Sequence, residues 1–125
     1  MLIPTYEYLR QEGVNKMSLN EVVAFKDKLW ERITYYEENK YTERMLNMEL
    51  HMHPAPSVHY WWHCQCIIEL CTIILTREDC NEEIEEKCVQ DINTAHEKIE
   101  KDLYNNEKEA FEKYREIKKD RDQSH

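Results

Sequence analysis

The sequence predicts an all-α fold of extended shape, in which a long N-terminal helix precedes a cysteine-linked antiparallel helical hairpin with a long charged C-terminal helix. The 125 residues include one Gly and three Pro, too few for the frequent turns of a β-sheet protein. Apolar residues recur at steps of three and four, which is the helical period. Charged residues make up 34% of the chain and hydrophobic residues 41%, so few apolar side chains are available to form a large core.

These features favour one extended helical module over residues 18–125, after an irregular segment at 1–17. Scarce glycine excludes glycine-rich phosphate loops. The net charge of −9 argues against binding to nucleic acid or to anionic lipid. The most apolar run, 61–75, is shorter than the about 20 residues of a membrane-spanning helix. The first ten residues lack the pattern of a secretory signal, so we expect a chain that does not span a membrane.

The first predicted helix begins after Ser18, which together with Glu21 forms a capping-box pattern. It continues to about residue 50, because neither Gly nor Pro interrupts it. Thirty residues of helix would reach about 45 Å, so we expect it to project or to lie along another element. One stripe of the helix is apolar and comprises Val22, Phe25, Leu29, Ile33 and Tyr36.

Pro54 and Pro56 end this helix because neither can donate a backbone hydrogen bond. Ser57 is the expected cap of a second helix that runs to about residue 76. This helix is the most apolar part of the sequence and the predicted buried centre. Its apolar residues include Val58, Trp61, Trp62, Ile68, Cys71, Ile74 and Leu75.

The third predicted helix runs from about residue 82 to 120, after a capping box formed by Asp79 and Glu82. Its apolar seam is narrow and is interrupted near residue 106, which is typical of a helix that packs against one neighbour. That neighbour is either a partner protein or the first helix of the same chain. The docking residues that we predict are Trp61 and Trp62 on the second helix, and Ile92, Ile99, Leu103 and Tyr114 on the seam. The two tryptophans suit a partner surface and the chain's own core equally well.

Five cysteines lie within 25 residues, which favours disulfides or a metal site. Cys71 and Cys88 are equidistant from the turn near Cys80, so a helical hairpin would bring them side by side. A Cys80–Cys88 bridge is the rival, and it requires a non-helical stretch at 81–86, because the two Cα atoms must approach within about 7 Å. Buried free thiols are the third possibility.

Four residues define an alternative function. His59 and His63 are spaced to face one ion from a helix, and Cys64 and Cys66 could complete a tetrahedral zinc site. However, Cys64 and Cys66 would point about 160° apart on a helix. We therefore expect no metal and no other cofactor, and keep a soluble metal-binding or small regulatory helical protein as the alternative.

Enzymatic patterns are weak in this sequence. The three serines, Ser18, Ser57 and Ser124, have no evident base beside them. His63 adjoins Cys64, but adjacent residues on a helix point apart, which is poor geometry for a nucleophile and its base. We therefore expect the protein not to be an enzyme.

The order of features resembles one family. A helix with a Tyr-rich end, over residues 25–44 (FKDKLWERITYYEENKYTER), is followed by a cysteine-bearing helix. Residues 72–98 (TIILTREDCNEEIEEKCVQDINTAHEK) then carry two further cysteines into a long charged helix. This arrangement resembles the PDSW-type accessory subunit of mitochondrial complex I, the NADH:ubiquinone oxidoreductase of the respiratory electron-transport chain.

The resemblance implies a non-catalytic subunit that braces the membrane arm from the intermembrane-space side. It would be peripheral to the mitochondrial inner membrane, and its partners would be other subunits of the complex. On this resemblance Cys80 and Cys88 match the downstream cysteine pair of the family, and Cys64 and Cys71 its upstream pair. Import without a cleaved presequence is expected of such proteins.

Overall fold

The computed structural model describes residues 14–101 and 107–123 of the chain. These residues contain α-helices and no strand, so the predicted all-α class is confirmed. A single 3₁₀ turn, Val14–Lys16, precedes the helices. The five α-helices are α1 (Leu19–Asn39), α2 (Glu43–His51), α3 (Pro56–Thr76), α4 (Glu82–Glu100) and α5 (Glu107–Gln123).

The start of α1 is the predicted capping box. The backbone N–H of Glu21 donates to Ser18 Oγ, and the N–H of Ser18 donates to Glu21 Oε1, each over 3.2 Å. Both groups would otherwise lack partners at a helix start. The predicted apolar stripe is buried along the whole helix, as shown by Val22, Phe25, Leu29, Ile33 and Tyr36.

The first helix is shorter than predicted, because α1 ends at Asn39 and α2 begins at Glu43. Thr42 caps α2 and accepts a hydrogen bond from the N–H of Met45 over 3.3 Å. A threonine hydroxyl competes with the helix for backbone hydrogen bonds and so favours a new start. The break redirects the chain and lets α2 bury Met45 and Leu46.

Helix α3 begins two residues earlier than the sequence suggests. Its cap is Ala55, and Pro56 occupies the first helical turn, where a missing N–H costs nothing. Ser57 is therefore not the cap. Its N–H donates to Glu49 Oε2 over 2.9 Å, and its hydroxyl donates to Glu49 Oε1. The carboxylate at the end of α2 thus lies at the positive end of α3. The preceding corner contains a cis peptide bond between His53 and Pro54.

The corner between α3 and α4 also differs from its prediction. Asn81 caps α4 and accepts from the N–H of Ile84 over 2.9 Å, so Asp79 is not the cap. Arg77 engages the Asp79 carboxylate through two hydrogen bonds of 2.9 and 3.0 Å. Both oxygens of the Asp79 carboxylate are thus engaged by Arg77, and Asn81 is the residue that caps α4.

Arg77 also holds the N-terminal end of the described chain. Its Nη1 donates to the carbonyls of Val14 and Met17 over 3.3 and 3.1 Å. The side chain of Val14 is buried in the core. Residues 14–17 of the segment predicted to be irregular are therefore part of the fold, and residues 1–13 lie outside the described chain.

The charged helix predicted for residues 82–120 consists of two helices, α4 and α5. Helix α5 packs against α2, and the ion pair of Arg121 with Glu43 joins the two. The ammonium groups of Lys40 and Lys113 are 4.8 and 5.4 Å from the centroid of the Tyr41 ring. Helix α5 therefore has a neighbour within the chain.

The core is centred on α3, which packs against α1, α2 and α4. The short corner after α3 makes α4 its antiparallel neighbour, so the predicted hairpin of these two helices is present. Helix α1 lies along α3 and does not project. The core is built from the α1 stripe together with inward residues of α3 and α4, among them Cys64, Ile67, Leu70, Cys71, Ile74, Cys88 and Ala95.

Two charged side chains lie inside this core. Lys26 of α1 is 1% exposed and Asp91 of α4 is 3% exposed. Lys26 Nζ is 2.7 Å from Asp91 Oδ2, and Lys87 Nζ is 3.0 Å from Asp91 Oδ1. Burial alone would lower the pKa of Lys26, but the hydrogen bond and charge of Asp91 outweigh it, and the pKa is raised. Burial opposes ionisation of Asp91 as well, yet the two lysines lower its pKa.

Removing one partner of this pair should be far more damaging than removing both. We expect Asp91→Ala to cost about 3–5 kcal/mol of unfolding free energy, because it leaves a buried ammonium unpaired. The double variant Lys26→Met/Asp91→Leu should recover most of that loss, since no charge is then buried. Urea unfolding followed by circular dichroism measures both values.

Glu97→Ala is the matched control, because it removes an exposed ion pair with Lys101 on the same helix. Its unfolding midpoint should stay close to that of the parent. Equal midpoints for Asp91→Ala and Glu97→Ala would contradict a stabilising role of the buried pair.

Candidate docking surface

The clearest exposed apolar group is at the start of α3. The side chains of Trp61 and Trp62 are 46% and 44% exposed, and Val58 is 37% exposed. One helical turn separates Val58 from the two tryptophans, so all three lie on the same side of α3. The two tryptophans are therefore not part of the core, which resolves the alternatives that the sequence leaves open for them.

The same side of α3 continues toward Thr76 with both apolar and polar residues. Ile68 and Ile73 are half-buried and pack in part against the core, and Thr72 and Thr76 are exposed. Glu69 is the only Asp, Glu, Lys or Arg in the helix. We define the α3 outer face as Val58, Trp61, Trp62, Gln65, Ile68, Glu69, Thr72, Ile73 and Thr76.

The opposite side of α3 forms the middle of the core. Its buried residues are Tyr60, His63, Cys64, Cys66, Ile67, Leu70, Cys71 and Ile74. A helix that is apolar all round is normally buried all round. Here α1, α2 and α4 cover only the inner half, so the outer half presents apolar surface to solvent.

The seam residues predicted for docking lie elsewhere. Ile92 and Ile99 of α4 are half-buried and pack against the core of the chain itself. Tyr114 is on α5 and is half-buried. Leu103 lies outside the described residues. Helix α4 uses its seam within the chain, mainly against α3, so Trp61 and Trp62 are the more accessible of the predicted docking residues.

A polar network fixes α3 between its two long neighbours. The Tyr60 hydroxyl donates to Glu37 Oε1 over 2.6 Å, and Lys98 Nζ donates to the same oxygen over 2.5 Å. These residues come from α3, α1 and α4, respectively. Burial and then the Glu37 hydrogen bond raise the pKa of Tyr60, so it stays a donor. The network sets the orientation of the α3 outer face relative to the bundle.

Histidine and aromatic rings form a row next to this face. The His59 ring is 5.5 Å from Trp62 in an edge-on contact and 6.5 Å from His63. The His63 ring is 5.7 Å from Tyr36 of α1. His63 is buried, and its Nε2 has no hydrogen-bond partner. Burial, with smaller contributions from the charges of Arg32 and His59, lowers the pKa of His63 to about 4.

The alternative metal site is not assembled in this fold. Among residues 14–101 and 107–123, no group of three or more His, Cys, Asp or Glu side chains could hold a metal ion. Cys64 lies near Tyr60 and Lys98, and burial raises its pKa to about 12. Cys66 lies near Glu69, and burial raises its pKa to about 11. The two thiols are on different sides of α3, as the spacing of two residues predicts.

All five cysteines are free thiols in the structure. Cys71 of α3 and Cys88 of α4 are buried in one core cluster, on two helices that pack against each other. Cys80 at the corner is half-buried, and its thiol donates to the carbonyl of Asn81 over 3.6 Å. Cys71 and Cys88, the first predicted pair, thus belong to the same core cluster, and their bridge stays a prediction.

The chain has no match among protein families, curated proteins or solved structures. The resemblance to the complex I subunit therefore rests on the two sequence segments alone. Within the described residues, none of the helices combines the length and the apolar character needed to cross a membrane.

The five thiols should differ sharply in reactivity. We expect iodoacetamide at pH 8 to modify Cys80 of the reduced native chain, while the other four thiols remain protected by burial and by their raised pKa values. Mass spectrometry after rapid quenching identifies the modified residue. Addition of urea provides the control, because all five thiols should then react at similar rates. Rapid modification of Cys71 in the native chain would contradict its burial.

His63 should make the fold sensitive to mild acid. Its folded pKa, about 4, lies below the ordinary value of 6.5, so the unfolded chain binds the extra proton more readily. Stability is therefore full above pH 6.5 and falls as the pH decreases toward 4. Relative to the parent, His63→Leu should gain about 2 kcal/mol between pH 6.5 and pH 4.5, as measured by urea unfolding at each pH.

His51→Gln is the control for this measurement, because His51 is exposed at the end of α2. Its stability should follow that of the parent through the same pH range. A constant difference between His63→Leu and the parent would contradict a lowered pKa of His63 in the folded chain.

Proposed function

We propose that the protein is a non-catalytic structural subunit that binds a helix of another protein along the α3 outer face. The carrying observation is the exposure of Trp61 and Trp62 side by side on the most apolar helix of the chain. Contiguous exposed apolar surface marks interaction sites in soluble proteins, and tryptophan is enriched among residues that dominate binding energy.

The shape of the face supports a helix as the occupant. Its residues repeat at steps of three and four along five turns of α3, which produces the ridges that interlock with those of a second helix. A single charged side chain, Glu69, interrupts them. A partner helix with an apolar stripe of similar length would cover the tryptophans at one end and the threonines at the other.

The charge around the face indicates the chemistry of the partner. The face ends at the corner before α4, where the exposed side chains include the acidic residues Glu78, Glu82 and Glu83. The whole chain carries a net charge of −9, so two copies repel each other. We therefore propose a different protein whose helix carries Lys or Arg beside its apolar stripe, near the end that meets this corner.

The sequence resemblance gives this proposal a specific form. As an accessory subunit of mitochondrial complex I, the chain would brace the membrane arm from the intermembrane-space side and remain peripheral to the inner membrane. Its partners would then be neighbouring subunits of the complex. The finding that no described helix could cross a membrane is consistent with a peripheral position.

Site-specific photocrosslinking in the cells that express the protein tests the docking surface. Benzoylphenylalanine at position 62 replaces one large aromatic side chain with another. The control site is position 94, an exposed residue of α4. We expect crosslinks from position 62 to a helix of one protein or a few proteins, and none of these from position 94. The same crosslinks from both positions, or none from position 62, would contradict the proposal.

A serine pair then measures the energetic role of the tryptophans. Once crosslinking identifies the partner, Trp61→Ser/Trp62→Ser should weaken binding at least about 30-fold, because loss of a central anchor costs about 2 kcal/mol or more. The control is Val89→Ser, because Val89 is an apolar residue of α4 that is 47% exposed. It should leave binding unchanged.

Co-migration of the crosslinked product with complex I on native gels tests the proposal that the protein is a subunit of that complex.

A further inference from the structure

Tyr41 lies in the break between α1 and α2. Its side chain is 42% exposed, and residues 40–42 belong to neither helix. The other tyrosines of the described residues lie within helices, namely Tyr35 and Tyr36 of α1, Tyr60 of α3 and Tyr114 of α5. An enzyme that modifies a side chain must also bind the backbone around it, which an exposed connection allows and a helix hinders. Tyr41 is therefore the described tyrosine that is most open to a modifying enzyme.

Positive groups from three helices lie near Tyr41. The ammonium of Lys40, at the end of α1, is 4.8 Å from the ring centroid, and that of Lys113, in α5, is 5.4 Å away. Thr42 caps α2, so Tyr41 directly precedes the positive end of that helix. Glu43, the nearest acidic residue along the chain, is already paired with an arginine of α5, which offsets its charge. An anion attached to the Tyr41 oxygen would therefore meet favourable charge on several sides.

Helix α5 is attached to α2 by contacts at the protein surface. In the part of α5 whose side chains the structure describes, residues 111–121, none is buried. The ion pair between α5 and α2, Arg121 with Glu43, joins two side chains that are 49% and 45% exposed. Exposed pairs of this kind contribute little to stability. A further charged contact between α5 and the α1–α2 corner would therefore change its attachment measurably.

We infer that Tyr41 is a modification site: a protein tyrosine kinase phosphorylates it, and the phosphate binds Lys40 and Lys113 and thereby fixes α5 to the α1–α2 corner. In the transfer, the Tyr41 oxygen attacks the γ-phosphorus of ATP and forms a new P–O bond. The bond from that phosphorus to the β–γ bridging oxygen breaks, and ADP leaves. The phenolic proton passes to a carboxylate base of the kinase, and no atom is oxidised or reduced. The inference does not depend on the α3 outer face or on any partner helix.

The phosphate replaces weak contacts of the ring with strong ones. It carries about two negative charges at neutral pH and several acceptor oxygens, and hydrogen bonds between charged groups are about twice as strong as those between neutral groups. Each lysine has a flexible four-carbon stem, so both ammonium groups can turn from the ring to its phosphate. Lys113 also lies 4.0 Å from Glu116, an exposed contact that the phosphate can displace. Because Lys40 belongs to α1 and Lys113 to α5, one phosphate then joins the two helices.

Phosphopeptide mapping tests the modification on the protein as its cells make it. The full chain is isolated from cells treated with pervanadate, which blocks tyrosine phosphatases, and is mapped by mass spectrometry. We expect phosphate on Tyr41 and none on Tyr35, the matched control, which is 46% exposed but lies inside α1. Unmodified Tyr41, or equal phosphorylation of the two residues, would overturn the inference.

Hydrogen exchange then tests the contact with α5. Phosphotyrosine is encoded at position 41 of the full chain, and amide exchange is compared with that of the unmodified chain. Exchange within α5 should slow at least about five-fold, because a charge-assisted contact now holds this helix. Lys113→Gln should remove most of the slowing, whereas Lys118→Gln, which changes an exposed lysine of the same helix, should retain it. Equal exchange of α5 with and without the phosphate, or full slowing in Lys113→Gln, would contradict the inferred contact.

Discussion

The fold depends on one constraint: α3 is the most apolar helix of a highly charged chain. The other helices have one apolar side each, and they bury it by packing around this centre. Helix α1 contributes its stripe from one direction, and α4 contributes its seam from another. Because only the inner half of α3 is covered in this way, the outer half remains as the docking surface that we propose.

Polar interactions inside the bundle give this arrangement its orientation. The pair of Lys26 with Asp91 joins α1 to α4 behind α3, and Glu37 joins all three helices through Tyr60 and Lys98. Apolar packing alone tolerates small rotations and shifts of a helix. Buried charges do not, because each must meet its partner or lose free energy. These contacts therefore determine which side of α3 faces outward.

The two sides of α3 have different roles. The inner side contributes Cys64, Ile67, Leu70 and Ile74 to the core, and the outer side exposes Trp61 and Trp62. The inner side therefore stabilises the fold, and the outer side is the docking surface that we propose.

The sequence by itself determined the helical class, the cap at Ser18 and the buried stripe of α1, because these follow from spacing along one chain. Only the tertiary structure decided the break at Thr42, the exposure of the tryptophans and the burial of Lys26. The position of Lys26, four residues after Val22 on the apolar stripe, was a signal that sequence reasoning missed. Periodicity shows which sides of a helix are apolar. It does not show which neighbour covers each side, and α3 has more apolar surface than its neighbours can cover.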